Sequence, residues 1–357
     1  MSKALAIQEA PTLDETRASL HEKLKGIVPG AEIELKAELA FKINRLKAEK
    51  NAIILGHNYM EPALYHSVPD HTGDSLALAR ESAETDADII LFCGVQFMAE
   101  TAKILNPDKT VLIPSDKAGC SLASGINAAN VRDLKRMYPG APVVTYVNTY
   151  ASVKAESDYC CTSGNAPGVV RHLLSEGHEQ IIFLPDEYLG RNTARELGIG
   201  FVLPPLIQGI APEAVTGPAI IGWRARCEVH EVFSVEDITA VRKQFPDVSI
   251  VAHPECHPDV VDASDYSGST KQMNDYVAAT DAGRFLLLTE CSMGDNIMAE
   301  NPEKDMLRLC SSRCPHMNQI TMEDTLRALE ELRFQVELPR DIIDQARLPI
   351  DRMLAIH

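Results

Sequence analysis

The spacing of short apolar runs constrains the fold of this 357-residue chain more than any other feature. Nine runs fall into three sets of three, and they begin at Asn51, Asp88 and Thr110, at Pro142, Gln180 and Pro218, and at Ser249, Phe285 and Asp305. Each interval is long enough for a helix and its turns. Strands that alternate with helices favour βαβ units around a parallel sheet, so the chain predicts an α/β fold built from three sheets.

Three further features recur at matching places in these sets. The first strand ends in polar residues, a small polar cluster that can open a helix follows, and a cysteine comes soon after the third strand. The strand ends are His57-Asn58-Tyr59, Tyr146-Val147-Asn148 and His253-Pro254-Glu255, the clusters contain Ser75, Ser163 and Thr270, and the cysteines are Cys120, Cys227 and Cys314. Any α/β protein has short strands at such intervals, but the coincidence of all these features predicts a threefold repeat of domain size.

The repeat predicts three homologous three-layer αβα domains, each with a Rossmann-like parallel sheet. We place the domains at residues 36–117, 118–222 and 223–317, and we expect helices within 318–357 to join the first of them.

The N-terminal segment lies outside the repeat. Residues 1–35 are predicted to be a variable leader, weakly ordered over 1–30 as far as Pro29-Gly30. A helix is expected over 32–50, because four apolar residues lie on one stripe at helical spacing: Leu35, Leu39, Ile43 and Leu46.

Composition excludes several classes of partner. The net charge of −17 repels nucleic acid and anionic lipid, so we expect neither as a partner. The sequence has no run of about 18 apolar residues and its N-terminus lacks the basic start and apolar core of a signal peptide, which predicts a cytoplasmic protein. Nine cysteines in a reducing compartment are expected to be thiols or metal ligands rather than disulfides.

The three cysteines at matching positions are candidates for a metal centre. Ligands of open α/β units bind beyond the carboxyl ends of the strands, so three domains around one axis would bring Cys120, Cys227 and Cys314 together. Such a set fits an iron–sulfur cluster or a zinc ion, although zinc sites usually use closer Cys-x2-Cys pairs. Three ligands leave a coordination position open for substrate. Three other cysteines are predicted to be small buried side chains: Cys93, Cys160 and Cys291.

Four residues at strand ends are candidates for acid–base chemistry: His57, Tyr59, His253 and Glu255. Glu255 lies between Pro254 and Cys256, and burial there is expected to raise its pKa into a range useful for proton transfer. Three hydroxyls at predicted helix starts suit a carboxylate or a phosphate, because helix N-termini favour anions, with simple N-capping as the alternative. They belong to Ser75, Ser163 and Thr270.

Nine stretches of the chain are similar to the motifs of one known family. GHNYM, GDSLALA, FCGVQFMAETAKIL, AGCSLA, YVNTYASVKAESD, CTSGNA, AHPEC, SGSTKQM and CPHMNQIT resemble quinolinate synthase, from about residue 36 to the C-terminus. The resemblance implies three similar α/β domains around a pseudo-threefold axis and one [4Fe–4S] cluster per chain. Its three cysteine ligands would be Cys120, Cys227 and Cys314, and the fourth iron would be open to substrate.

The resemblance also implies a reaction and residue roles. The family is a transferase of de novo NAD biosynthesis that condenses iminoaspartate with dihydroxyacetone phosphate to quinolinate, phosphate and water, with a functional link to L-aspartate oxidase. Tyr59 and Glu255 would be the acid–base pair, and His57 and His253 would orient substrate or transfer protons. The residues that would bind substrate groups are His57, Ser75, Tyr146, Asn148, Ser163, His253, Glu255 and Thr270.

Two positions and two rival functions stay open. Ala225 stands where family members often have glycine, and Cys310 competes with Cys314 as ligand, although the CP-x-M motif favours Cys314. The rivals are another dehydratase or lyase with an open-iron cluster acting on a hydroxy acid, and a non-catalytic protein that carries electrons or senses through its cluster. The second rival predicts four protein ligands.

Overall fold

The chain is described here by a computed structural model that covers residues 11–205, 215–307 and 312–356. Within them it forms three parallel sheets of four, five and four strands, each flanked by helices. The predicted α/β class with three αβα units is confirmed. No helix in these ranges combines the length and the apolar character needed to cross a membrane.

The first sheet follows two N-terminal helices, α1 (Leu13–Lys23) and α2 (Gly30–Glu49). Its strand order is edge, first, middle, last: β2-β1-β3-β4. The elements in chain order are β1 (Ala52–His57), α3 (Pro62–Tyr65), β2 (His71–Gly73), α4 (Ser75–Glu84), β3 (Ile89–Cys93), α5 (Gln96–Leu105) and β4 (Thr110–Leu112).

The second sheet repeats this order and adds one edge strand, so that it reads β6-β5-β7-β9-β8. Its elements are α6 (Ser121–Ser124), α7 (Ala128–Met137), β5 (Val143–Tyr146), α8 (Ala151–Lys154), β6 (Tyr159–Cys161), α9 (Ala166–Ser175), β7 (Gln180–Leu184), α10 (Glu187–Leu197), β8 (Gly200–Val202) and β9 (Ala219–Ile221).

The third sheet has the same order as the first, β11-β10-β12-β13. Its elements are α11 (Val235–Gln244), β10 (Ser249–Ala252), α12 (Pro258–Ala263), β11 (Tyr266–Ser267), α13 (Thr270–Ala279), β12 (Arg284–Leu288), α14 (Cys291–Glu300) and β13 (Asp305–Leu307). A 3-10 turn (Met317–Gln319), α15 (Met322–Glu331) and α16 (Arg340–Ala355) follow.

All nine strands expected from the sequence are present, and each begins within one residue of the expected start. Four other strands were not predicted: β2, β6, β8 and β11. They are two or three residues long, which is too short for an alternating pattern to show. Three of them, β2, β6 and β11, pair with the first strand of their sheet and lead toward the polar clusters.

An aspartate immediately before each of these three edge strands fixes it to the first strand. Its Oδ2 accepts a hydrogen bond from a backbone N–H at 2.7–2.8 Å, and its own N–H donates to the carbonyl of the same partner. The pairs are Asp70 with Ile54, Asp158 with Val143, and Asp265 with Ile250. The threefold repeat therefore extends to individual side-chain contacts.

The N-terminal segment differs from the expectation. Residues 13–23 form α1, whose Thr12 and Glu15 make a capping box, and Leu20 and Leu24 are buried in the main hydrophobic core. Weak order is thus wrong for residues 11–30, while residues 1–10 lie outside the described part of the chain.

The helix expected over 32–50 is present as α2, and most of the predicted stripe faces the core: Ile43 is buried and Leu39 and Leu46 are partly buried against it, but Leu35 is not. Leu35 is 67% exposed. The buried side chains include Ile33, Ala37, Ala40 and Ile43, because small alanines let α1 and α15 pack closely against this side. The prediction failed at Leu35 because it considered only large apolar side chains and not the buried alanines.

Leu20→Ala is expected to destabilise the protein by about 2–5 kcal/mol, because it removes a fully buried side chain and leaves a cavity between α1 and the core. Urea unfolding measures the change. Leu35→Ala removes the same atoms from an exposed site and should change stability by less than about 0.5 kcal/mol. Equal and small effects of the two variants would contradict the packing of α1.

The C-terminal helices contact both of the first two domains. α15 packs on α2 and β3, and Phe334 exchanges two backbone hydrogen bonds of 3.0 Å with Ile113. α16 packs on α5, α8 and β6. Residues 318–356 thus bridge the first and second sheets, and the exact domain boundaries stay a prediction.

Candidate functional site

One cavity receives the polar ends of the first strands and the three cysteine loops. β1 ends at His57 and β5 at Tyr146, while His253 follows β10 directly. The structure brings together all twelve residues singled out in the sequence, and they line this cavity: His57, Tyr59, Ser75, Cys120, Tyr146, Asn148, Ser163, Cys227, His253, Glu255, Thr270 and Cys314. Residues far apart in the sequence therefore form one site, because equivalent strand ends of the three domains face one another.

Each of the three cysteines begins the same tight turn. The carbonyl oxygen of the cysteine accepts a hydrogen bond from the N–H four residues on, at 2.9–3.0 Å. The N–H groups two and three residues on donate to the cysteine sulfur. Those donors are Leu122 and Ala123 for Cys120, Val229 and His230 for Cys227, and His316 and Met317 for Cys314. Three copies of one local structure thus present three sulfurs to a common centre.

The helix after each middle strand holds the neighbouring cysteine loop. Its first residue donates a backbone hydrogen bond to the carbonyl two positions before the cysteine, at 2.8–3.1 Å. The pairs are Gln96 with Ala118, Glu187 with Ala225, and Cys291 with Ser312. The carbonyl of Ala225 therefore makes the same backbone hydrogen bond as those of Ala118 and Ser312. The methyl group of Ala225 fits because residue 125 is glycine, where an added Cβ would lie only 2.9 Å away.

The three sulfurs suit a cationic metal centre. Burial raises the pKa of the Cys120 thiol to about 12 and that of Cys314 to about 11, and it raises the pKa of Cys227 well above its ordinary value. The thiolate is the ligand form, so a bound metal must supply the charge that deprotonates these groups. Backbone N–H groups that donate to sulfur are a recurrent feature of iron–sulfur sites. The donor set therefore fits a cluster.

A single metal ion is also compatible with part of the site. Ligand atoms of Cys227, His230 and Glu255 lie within 4.8 Å of one another. A thiolate, an imidazole and a carboxylate are suitable ligands for zinc, so the geometry alone keeps both kinds of metal centre open.

The remaining cysteines agree only partly with the expectation. Cys93 and Cys160 are buried as predicted. Full burial is wrong for Cys291, which begins α14 rather than ending a strand and is half-buried. Cys310 lies outside the described residues, so its competition with Cys314 stays undecided.

His57 and His253 have the same hydrogen-bonded geometry in their two domains. Nδ1 of each ring accepts from the backbone N–H two residues on, at 3.2 Å from Tyr59 and 3.3 Å from Glu255. This bond places the ring proton on Nε2. Burial lowers the pKa of both histidines to about 3, although the Glu255 charge opposes that shift. Both rings therefore offer an Nε2–H donor.

Glu255 is the buried carboxylate at the centre of the site. Burial alone would raise its pKa, but His253, His230 and a hydrogen bond from Tyr146 outweigh burial and lower it. The expected rise in pKa is therefore wrong, because the sequence could not show how many donors surround this group. Asn148 Nδ2 adds a contact of 3.4 Å to Oε1. Glu255 is ionised at neutral pH.

His230 and Thr289 belong to the site and were missed in the sequence. His230 Nδ1 lies 2.7 Å from Glu255 Oε2 and 3.2 Å from Cys227 Sγ, and its Nε2 lies 2.9 Å from Thr289 Oγ1. The Tyr59 hydroxyl is 2.7 Å from Thr289 Oγ1. His230 thus joins a cysteine, a carboxylate and a phenol. A polar residue directly after the middle strand, as in FLLLT, was the available signal for Thr289.

At the starts of α4 and α13, the residue that caps the helix is not the residue whose hydroxyl was predicted to bind an anion. Asp74 and Ser269 are the N-caps of α4 and α13, so the hydroxyls of Ser75 and Thr270 are not needed as caps. Thr270 Oγ1 accepts a bond of 2.9 Å from Asn58 Nδ2. Ser163 differs from the expectation, because α9 begins three residues later, at Ala166.

The cavity can bind anions without a cationic side chain. Its described lining contains no lysine and no arginine. It offers helix N-termini, hydroxyls and the two Nε2–H groups instead, and these donors suit carboxylates and phosphates. Asn148 Oδ1 is buried without a hydrogen-bond partner among the described residues and leaves an acceptor for a ligand donor.

Comparisons with known proteins agree on one family. The family model described as Quinolinate synthetase A protein matches residues 41–355. A quinolinate synthase of Caulobacter vibrioides is 46% identical over 345 residues, which cover 96% of this chain and 89% of that protein. Quinolinate synthase 1 of Mesorhizobium japonicum is 48% identical over 95% of this chain and 98% of its own length. A quinolinate synthase of Xylella fastidiosa is 50% identical over 88% and 86%.

Proposed function

Because the chain belongs to the quinolinate synthetase A family, we propose that it condenses iminoaspartate with dihydroxyacetone phosphate to quinolinate, phosphate and water. It would then be a transferase that builds the pyridine ring of NAD, supplied with iminoaspartate by an L-aspartate oxidase. The observation that carries the proposal is the convergence of three equivalent cysteine turns and three polar strand ends on one cavity.

We propose that Cys120, Cys227 and Cys314 hold one [4Fe–4S] cluster. Each domain contributes one sulfur with two N–H donors, which supports a cluster shared among the domains. A single ion on Cys227, His230 and Glu255 would use only one of the three equivalent cysteines. With three protein ligands, the bound cluster would supply a Lewis acid for a substrate hydroxyl or carbonyl.

Glu255 and Tyr59 are the proposed proton-transfer groups. The condensation requires a proton to leave carbon and others to reach departing hydroxyls. Ionised Glu255 is suited to accept a proton. Burial and the nearby Glu255 charge raise the pKa of Tyr59 well above 10, so its phenol keeps a proton to donate. His57 and His253 are proposed to orient substrate oxygens through Nε2–H.

The hydroxyls and amides bind the charged substrate groups in this proposal. Ser75 and Thr270 stand in the first turns of α4 and α13, where the helix dipole favours carboxylate or phosphate. Tyr146, Asn148 and Ser163 line the second domain's side of the cavity. Donors from several domains would hold both substrates together, which is the main requirement of a condensation.

His230→Gln is expected to lower kcat by about ten- to a hundred-fold, because Glu255 loses its 2.7 Å partner and shifts relative to the substrate. Steady-state quinolinate formation measures the loss. His172→Gln removes another histidine–glutamate pair, an exposed one with Glu176 at the C-terminal end of α9, and should keep wild-type kcat. Wild-type turnover in His230→Gln would exclude a role for this ring in placing Glu255.

The proposed function is tested by product formation. Protein reconstituted with iron and sulfide without oxygen is given iminoaspartate and dihydroxyacetone phosphate, and both quinolinate and phosphate are quantified. The two products are expected in equal amounts. A cluster-loaded protein that forms no quinolinate would instead favour a dehydratase or lyase for another hydroxy acid. Four protein ligands to the cluster, established by spectroscopy, would favour the electron-carrying alternative.

A further inference from the structure

We propose that Lys154 and Glu100 are positioning residues for Asn148, and that they connect the Cys120 loop to the substrate-binding loop of the second domain. The inference rests on the proposed function of the cavity, but neither residue lines it. Glu100 lies in the stretch FCGVQFMAETAKIL and Lys154 in YVNTYASVKAESD.

Lys154 is a lysine with no exposed surface at the end of α8. Its Nζ turns back and donates to the carbonyl of Val147, at 2.8 Å, and to the carbonyl of Thr149. These two carbonyls flank Asn148. One ammonium group thus fixes the backbone on both sides of a residue that faces the cavity.

Glu100 holds the other end of the same loop from the first domain. Its Oε2 accepts a bond of 2.7 Å from the N–H of Ala151, the first residue of α8. Its Oε1 accepts a bond of 3.0 Å from Gln96 Nε2. Gln96 in turn donates its backbone N–H to Ala118 O, in the Cys120 loop, at 2.8 Å.

These contacts form a continuous path through the three domains. It runs from the Cys120 loop through Gln96 and Glu100 to α8 and then through Lys154 to Asn148. Asn148 Nδ2 lies 3.4 Å from Glu255 Oε1, in the third domain. The path therefore fixes where a substrate-binding amide stands relative to both a proposed metal ligand and the proposed base.

Stability alone does not account for two buried charged groups. Taking a lysine and a glutamate out of water is costly, and well-packed apolar side chains usually stabilise an interior equally well. What an apolar pair cannot supply is a donor for two carbonyls and an acceptor for a helix N–H. The contacts made by Lys154 and Glu100 supply these groups at the loop that carries Asn148.

The test is a mutational cycle with Asn148. Lys154→Met is expected to raise KM about tenfold with a smaller loss in kcat, since it displaces a binding group and leaves Glu255 in place. Asn148→Ala should have a similar effect. In the Asn148→Ala background, Lys154→Met should cause no further change in kcat/KM. Losses that multiply, or an unchanged KM in Lys154→Met, would overturn the proposal.

Two companion variants separate positioning from folding. Glu100→Gln combined with Lys154→Met removes both buried charges, so thermal stability should return toward wild type while KM stays raised. Lys103→Met is the matched control, because Lys103 is also buried and donates to the carbonyl of Lys109, away from the cavity. It should leave KM unchanged. Recovery of KM together with stability would show a merely structural role.

Amide hydrogen exchange tests the contacts without reference to activity. Glu100→Gln should speed exchange in a peptide containing Ala151 by about tenfold, because the amide loses a charged acceptor, and Lys103→Met should not. If the wild-type protein makes no quinolinate but Glu100→Gln still speeds exchange at Ala151, the proposed function is contradicted and the path is supported. Unchanged exchange at Ala151 would contradict the path.

Discussion

Cys314→Ala is expected to give a folded protein that lacks the visible absorbance of an iron–sulfur cluster and forms no quinolinate. The substitution removes the sulfur contributed by the third domain and leaves two protein ligands on a centre that needs at least three. Cys120→Ala and Cys227→Ala should behave alike, because the three cysteines occupy equivalent turns. Iron and sulfide per chain after anaerobic reconstitution measure the effect.

Two other cysteines serve as controls for this result. Cys93→Ala alters a buried thiol that contacts Thr325 in the first domain and should keep the full cluster. Cys310→Ala is also expected to keep it, on the CP-x-M motif alone, since residue 310 lies outside the described ranges. A full complement of four irons in Cys314→Ala would refute the ligand assignment.

Glu255→Gln is expected to keep the cluster and to lower kcat by about a hundred- to ten-thousand-fold. The amide has the size of the carboxylate but cannot accept a proton, which removes the base and leaves the cavity's shape unchanged. Absorbance should match that of the wild type, while single-turnover quinolinate formation reports the loss. KM should change much less than kcat.

The matched control for this variant is Glu156→Gln. Glu156 pairs with Arg132 on the surface of the second domain, away from the cavity, so its neutralisation should leave kcat unchanged. Normal turnover in Glu255→Gln would remove this residue from the acid–base role. Loss of cluster in the same variant would assign it to holding the metal centre instead.

The architecture could be predicted because its signal repeats. Each buried strand of a parallel sheet is a short continuous apolar run, and three equivalent sets made chance agreement improbable. The short edge strands were not predicted because two or three residues are too few to show a period, although Asp70, Asp158 and Asp265 precede three of them. The helix α1 was not predicted because tertiary packing of Leu20 and Leu24, rather than a helical pattern in its own sequence, stabilises it.

Twelve residues of the site could be predicted, but His230, Thr289 and the electrostatics could not. Polar residues at the carboxyl ends of strands stand out from apolar runs, and that contrast located Tyr59 and Glu255. The pKa of Glu255 depends on His230, Tyr146 and His253, which come from two domains. No spacing rule brings His230 and Glu255 together, so the predicted rise in pKa considered burial alone.

The sequence by itself determined the three-domain α/β organisation and twelve of the residues that line the cavity, because local periodicity and repeated motifs are properties of the chain. Only the tertiary structure decided which groups touch: the His230–Glu255 pair, the capping of α4 and α13 by Asp74 and Ser269 instead of Ser75 and Thr270, and the path through Glu100 and Lys154. Some of those contacts, such as that of Glu100 with Ala151, join residues from different domains. Their distances follow from how the sheets pack, and packing is not encoded in any one stretch.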